Sequence, residues 1–173
     1  MDKNNYEIKI GFIEGLNDVV EKEVKQKTDF YVISKEKDCM YLDFKDSFVK
    51  VLTLKSIGNA SLVVRDKDYN PGYLSKHEGI LKDLIDLILR NNKETFKTFR
   101  ISCAGSDSLE VKSIINFIQT EYKLTESKES DLKINIYKVG DLWEVSIQIT
   151  SRPLSYRKYK VANMSGAMDP NIA

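Results

Sequence analysis

Four basic residues near the end of this 173-residue chain, Arg152, Arg157, Lys158 and Lys160, are interleaved with Tyr156 and Tyr159. Guanidinium and ammonium groups neutralise phosphates, and tyrosine rings stack on bases or ribose, so the combination suits contact with RNA. The same composition describes an interdomain linker whose tyrosines pack and whose lysines are solvated, and composition leaves both readings open. Charge is concentrated here: Ser151 to Ala173 is net +3, whereas the rest of the chain has 23 Lys/Arg against 25 Asp/Glu. A net charge of +1 argues against coating nucleic acid over the whole surface but is compatible with a local basic patch. Asp169-Pro170 then reads as a helix N-cap followed by proline at the first helical position. Only three residues follow it, against the roughly 12–15 that an isolated helix needs in water. The expectation is a helix start that belongs to a longer protein.

Other groups capable of chemistry are sparse. His77 is the sole histidine and stands beside Glu78 at a polar helix start, which suits a solvated or capping residue better than a base or ligand. Cys39 and Cys103 lie far apart in strand-like runs without a CxxC spacing, and read as reduced structural thiols. The sequence contains no GxGxxG after a strand, no Walker loop and no His/Cys/Asp spacing typical of a metal site. No catalytic residue and no metal ligand is therefore assigned. With 42% hydrophobic and 31% charged residues the composition is globular. No apolar run approaches the roughly 18–20 residues of a membrane span, and the N-terminus lacks a signal-peptide core, which places the expected location in the cytoplasm.

The elements that would carry these residues can be read from periodicity. Tyr6, Ile8, Ile10 and Phe12 alternate with Glu7, Lys9 and Gly11 as in a half-buried strand. After Gly15, Leu16, Val19, Val20 and Val24 take helical spacing, with Glu21, Lys22, Glu23 and Lys25 expected in water. Residues 30–34 and 39–44 are strand-like and joined by a polar turn. Asp46 can cap a second helix carrying Phe48, Val49, Leu52 and Leu54, and residues 61–65 form a closing strand. The resulting β-α-β-β-α-β order over residues 1–66 is that of a ferredoxin-like domain within an α+β protein.

Residues 65–72, RDKDYNPG, mark a boundary, and a second domain is expected over 67–150. Ile80, Leu81, Leu84, Ile85, Ile88 and Leu89 form a helical stripe; Phe99, Ile101 and Cys103 alternate with Thr98, Arg100 and Ser102 in a strand. Asp107 and Glu110 resemble a capping box ahead of a helix with Val111, Ile114, Ile115, Ile118 and Tyr122 on one face. Residues 125–130 read as a loop. Two alternating runs, Leu132 to Tyr137 and Trp143 to Thr150, flank Gly140-Asp141 and predict a hairpin with a two-residue turn. Its strands each have one apolar and one polar face, predicting a sheet covered by helices on one side and open on the other.

The tail resembles a known family. Pro153-Leu154, Arg157-x-Tyr159-Lys160 and Gly166-Ala167-Met168-x-Pro170-x-Ile172-Ala173 are similar to the junction in THUMP-containing RNA methyltransferases. There, a PL…RGYR segment leaves the THUMP domain and a GAL-x-P-T-LA segment opens the catalytic domain. Glu14-Gly15-Leu16 is similar to the PGLE-type start, Ser108-Leu109-Glu110-Val111 to the S-x-E-V helix start, and residues 131–149 to the final hairpin. Lys158 replaces the usual Gly and Lys160 the usual Arg, so a bidentate phosphate clamp becomes a point charge.

The resemblance implies an N-terminal ferredoxin-like domain (1–66), a THUMP domain (67–150) that holds RNA, and a linker (151–173) into a Rossmann-like domain. That last domain would bind S-adenosylmethionine and methylate guanine N2, and its cofactor loop and Asp/Asn-Pro-Pro-aromatic motif are absent from this sequence. The implied partner is RNA, with tRNA favoured over large-subunit ribosomal RNA. Arg152, Arg157, Lys158 and Lys160 are the expected contacts, with Arg100 and Tyr156 secondary. The alternatives are the RNA-binding half of another THUMP enzyme, such as a 4-thiouridine synthetase or a deaminase, and a free-standing ferredoxin-like regulator.

Overall fold

The computed structural model describes residues 6–66, 74–92, 95–103 and 108–154. It is a mixed α+β fold whose described elements are eight strands and three α-helices. The chain divides into two compact units. Among the described residues, one comprises 7–61 together with 152–154; the other comprises Tyr6 and those between 62 and 151.

In the N-terminal unit, β1 (Tyr6–Gly11) pairs antiparallel with β3 (Cys39–Asp43), which pairs antiparallel with β2 (Val32–Lys35). Ile8, Ile10, Met40 and Leu42 are fully buried and stand opposite one another in register, with Val20 and Val24 of α1 (Asn17–Lys27) in the same core. Two expectations about α1 fail. Val19, expected on the apolar stripe, is 55% exposed. Glu23, expected in water, accepts hydrogen bonds from the backbone N–H groups of Lys55 (2.9 Å) and Ser56 (2.9 Å), the Ser56 hydroxyl (2.6 Å) and Lys27 Nζ (2.6 Å). The expected second helix is a single 3-10 turn at Val51–Thr53. Phe48, Val51 and Leu54 enter the core, while Val49 is exposed. Their three-residue spacing fits one tight turn, and the Glu23 carboxylate supplies partners for the extended backbone that follows it.

In the central unit the strand order is β4-β8-β7-β5-β6. Here β4 spans Asn59–Asp66, α2 Leu74–Asn91, β5 Thr98–Cys103 and α3 Leu109–Tyr122. They are followed by β6 (Thr125–Glu126), β7 (Leu132–Val139) and β8 (Leu142–Gln148). Leu81, Leu84, Ile85 and Ile88 of α2 and Ile114 and Ile118 of α3 share the core with Phe99, Leu132, Ile134, Ile136, Val145 and Ile147. The hairpin forms as read: Val139 faces Leu142 across Gly140-Asp141, with Gly140 at φ 60. Positive φ at the first turn residue is the conformation glycine adopts without a steric cost.

Three local expectations change. The α3 cap is Ser108, whose hydroxyl accepts from Val111 N at 3.3 Å, one residue later than the Asp107 box; Asp107 itself lies outside the described residues. Residues 125–126, read as loop, form a short strand parallel to β5. The face expected to be open is closed over β8, where Glu144 is 0% and Ser146 3% exposed.

Candidate nucleic-acid interface

Of the sequence-derived contact residues, Tyr156, Arg157, Lys158 and Lys160 lie outside the described residues, as does Asp169-Pro170. Arg152 is exposed just after β8, and Arg100 is exposed in the middle of β5. The two fall in different compact units.

Arg100 gains a neighbour that the linear sequence does not reveal. β5 and β7 are parallel, in a register that sets Phe99 beside Leu132, Arg100 beside Lys133, Ile101 beside Ile134 and Ser102 beside Asn135. Since Phe99, Leu132, Ile101 and Ile134 are buried, alternation puts Arg100, Lys133, Ser102 and Asn135 on the opposite, polar face. Neighbouring strands lie about 4.8 Å apart, so two cations share one spot on the sheet. Across the hairpin, Asn135 pairs with Ser146 and Tyr137 with Glu144.

Glu144 is the carboxylate that this face contributes from β5, β7 and β8, and it is buried. Arg65 Nε donates to its Oε2 at 3.1 Å, and the Tyr137 hydroxyl donates to Oε1. The face therefore grades from an enclosed, internally neutralised end at β8 to a cationic end at β5, where Arg100 is exposed and Lys133 half-buried. Lys133, Ser102 and Asn135 were legible only as polar-face residues of separate strands; the parallel register was the missing signal.

The helical layer carries both signs of charge in near balance. Lys82 Nζ bonds Glu121 at 2.7 Å and sits 5.8 Å from the centre of the Tyr122 ring. The Tyr122 hydroxyl donates to Asp86 at 2.8 Å; burial, that hydrogen bond and the charges of Asp86, Glu121 and Asp83 push its pKa well up. Glu78, Ser113, Asn116, Phe117, Thr120 and Glu121 line a shallow groove of about 230 Å³ on these helices.

Metal and thiol chemistry find little support among the described residues. Glu36, Asp38 and Cys39 bring their ligand atoms within 4.8 Å of one another. Cys39 Sγ donates to Glu36 at 3.3 Å, and burial with that hydrogen bond pushes the thiol up to about 11, away from the thiolate a metal needs. The His77 side chain lies outside the described residues. No described helix is long and apolar enough to cross a membrane.

No protein-family model and no curated protein sequence matches the chain. Its fold is similar to that of several solved structures. A predicted N6-adenine-specific DNA methylase from Listeria monocytogenes aligns over 97% of this chain at 18% identity and a TM-score of 0.66. TrmN from Thermus thermophilus aligns over 88% at 14% identity and 0.65. A 4-thiouridine synthetase, solved as an RNA complex with bound ATP, aligns over 83% at 9% identity and 0.55. The matched region is 46%, 48% and 41% of those three chains, so this chain spans less than half the length of each.

Proposed function

We propose that this chain is the RNA-binding part of an RNA-modifying enzyme: a ferredoxin-like region (1–66), a THUMP domain (67–150) and a linker (151–173) that leads into a catalytic domain. The observation that carries this reading is the shared fold. It recurs in a methylase and in a 4-thiouridine synthetase solved with RNA, covering most of this chain but less than half of either enzyme. Methyl transfer and thiolation have different chemistry, so a unit common to both suits holding a substrate better than transforming it.

Within that reading, the tail resemblance favours the guanine-N2 methyltransferase type, with S-adenosylmethionine bound by a Rossmann-like domain. The favoured substrate is tRNA, ahead of large-subunit ribosomal RNA, in the cytoplasm. The module positions: it grips structured RNA through phosphates and presents one distant guanine to the catalytic domain. The 4-thiouridine synthetase likeness supports a second reading, in which the same module serves a thiolating enzyme.

The test is a salt titration of bulk tRNA binding. Replacing Arg157 and Lys160 together by Ala is expected to lower the slope of log K against log salt by about 1–2 units. Retention of the full slope removes both residues from the interface. Failure of the unmodified chain to bind tRNA at low salt favours a protein- or ligand-binding regulator instead.

A further inference from the structure

We infer that the exposed end of the central sheet, where Arg100 of β5 stands beside Lys133 of β7, is a binding site for the phosphate backbone of RNA. The inference rests on the RNA-binding reading above and deepens it by naming a surface. Three observations converge. First, like charges side by side on adjacent strands oppose one another, and neither side chain has a hydrogen bond or ion pair with another described residue. Such a pair is stabilised when an anion is shared between its members. Second, the nearby carboxylates are already held: Glu144 is enclosed and bonded by Arg65 and Tyr137, and Asp131, two residues before Lys133, accepts from the Thr98 hydroxyl and the backbone N–H groups of Lys97 and Thr98. Third, the next register position supplies neutral hydrogen-bonding groups, with Ser102 exposed and Asn135 half-buried. A hydroxyl and an amide can bond phosphate oxygens or a ribose 2′-hydroxyl, the group that separates RNA from DNA.

The geometry distributes the work. Arg100 has a planar fork that can grip two phosphate oxygens, whereas Lys133 contributes a point charge. A flat sheet surface admits a backbone that runs across the strands.

The experiment uses the full chain and bulk tRNA, followed by fluorescence anisotropy from about 50 to 200 mM salt. Arg100→Ala with Lys133→Ala is expected to flatten the log–log slope by about 1–2 units, and each single change by about 1 or less. Ser102→Asp, which sets a carboxylate beside the pair, is expected to weaken binding at low salt as the double variant does. All three positions are at least partly exposed, and an unchanged thermal melt certifies the fold. Tight binding by the unmodified chain with an undiminished slope in the double variant overturns this site and leaves the RNA reading standing. No binding by the unmodified chain at low salt overturns both. Single-stranded DNA bound as tightly as tRNA, and equally sensitive to Asn135→Ala, overturns the assignment to RNA.

Discussion

Arg65 Nε lies 3.1 Å from Glu144 Oε2, and the Tyr137 hydroxyl donates to the other oxygen, so one fully buried carboxylate on β8 is held from both neighbouring strands. Enclosing two charges is costly, and removing one partner strands the other in a medium that solvates it poorly. Arg65→Ala is expected to destabilise the chain by about 3–5 kcal/mol, read from the urea midpoint. Replacing both Arg65 and Glu144 by Leu should recover most of that loss. A double variant as unstable as the single one would show that packing, not charge, dominates.

Acid should loosen the N-terminal unit. Burial pushes Glu23 upward, but hydrogen bonds from Lys27, from the Ser56 hydroxyl and from the backbone of Lys55 and Ser56 outweigh it and bring the carboxyl to about 2. Its ordinary value is about 4.3, so the folded state binds this proton less readily than the unfolded state. The stabilisation is therefore complete above about pH 4.3 and is lost as pH falls toward 2. Backbone hydrogen bonds from Lys97 lead those that lower Asp131, which acts in the same direction in the central unit. Glu23→Gln should flatten the acid limb of a stability–pH curve. At neutral pH, Glu23→Ala should cost about 1–3 kcal/mol because two backbone donors lose their acceptor.

Cys39 should be slow to alkylate. With its thiol near 11 against an ordinary value of about 8.5, the thiolate fraction at pH 8 falls roughly 200-fold. Iodoacetamide labelling followed by mass spectrometry should find Cys39 nearly inert until denaturant is added. Burial also raises Cys103, so fast labelling of either thiol in the native chain would contradict the geometry.

Lys123 ends α3 in the left-handed region at φ 56, its N–H bonded to Gln119 O at 3.1 Å. A side chain there costs about 1–2 kcal/mol that glycine avoids, although glycine loses part of the gain to chain entropy. Lys123→Gly is expected to stabilise by up to about 1 kcal/mol, a rise in melting temperature that calorimetry resolves.

Elements with strong periodicity were legible before any coordinates. The α2 stripe from Ile80 to Ile88 and the β7–β8 hairpin around Gly140 carry their period, face and turn in local sequence. What depends on distant residues was not legible. The stretch around Phe48 and Leu54 has enough apolar residues for a helix, but Glu23 captures the backbone at Lys55 and Ser56, 32 and 33 positions away. Glu144 looks solvent-facing by alternation and is buried because Arg65 and Tyr137 supply its partners. Arg100 was singled out for its charge alone; its pairing with Lys133 follows from a parallel register that no local pattern encodes.

That register also constrains how the chain is made. The hairpin closes through a two-residue turn, an event of about 1–10 μs. β5, in contrast, emerges from the ribosome 33 residues before Leu132, the partner of Phe99. At about 5–20 residues per second, Phe99 and Ile101 wait on the order of seconds with no β7 to cover them. During that interval the nascent chain presents an apolar strand with an open edge, so β5 is a segment that a chaperone would shield and where slowed translation would promote aggregation.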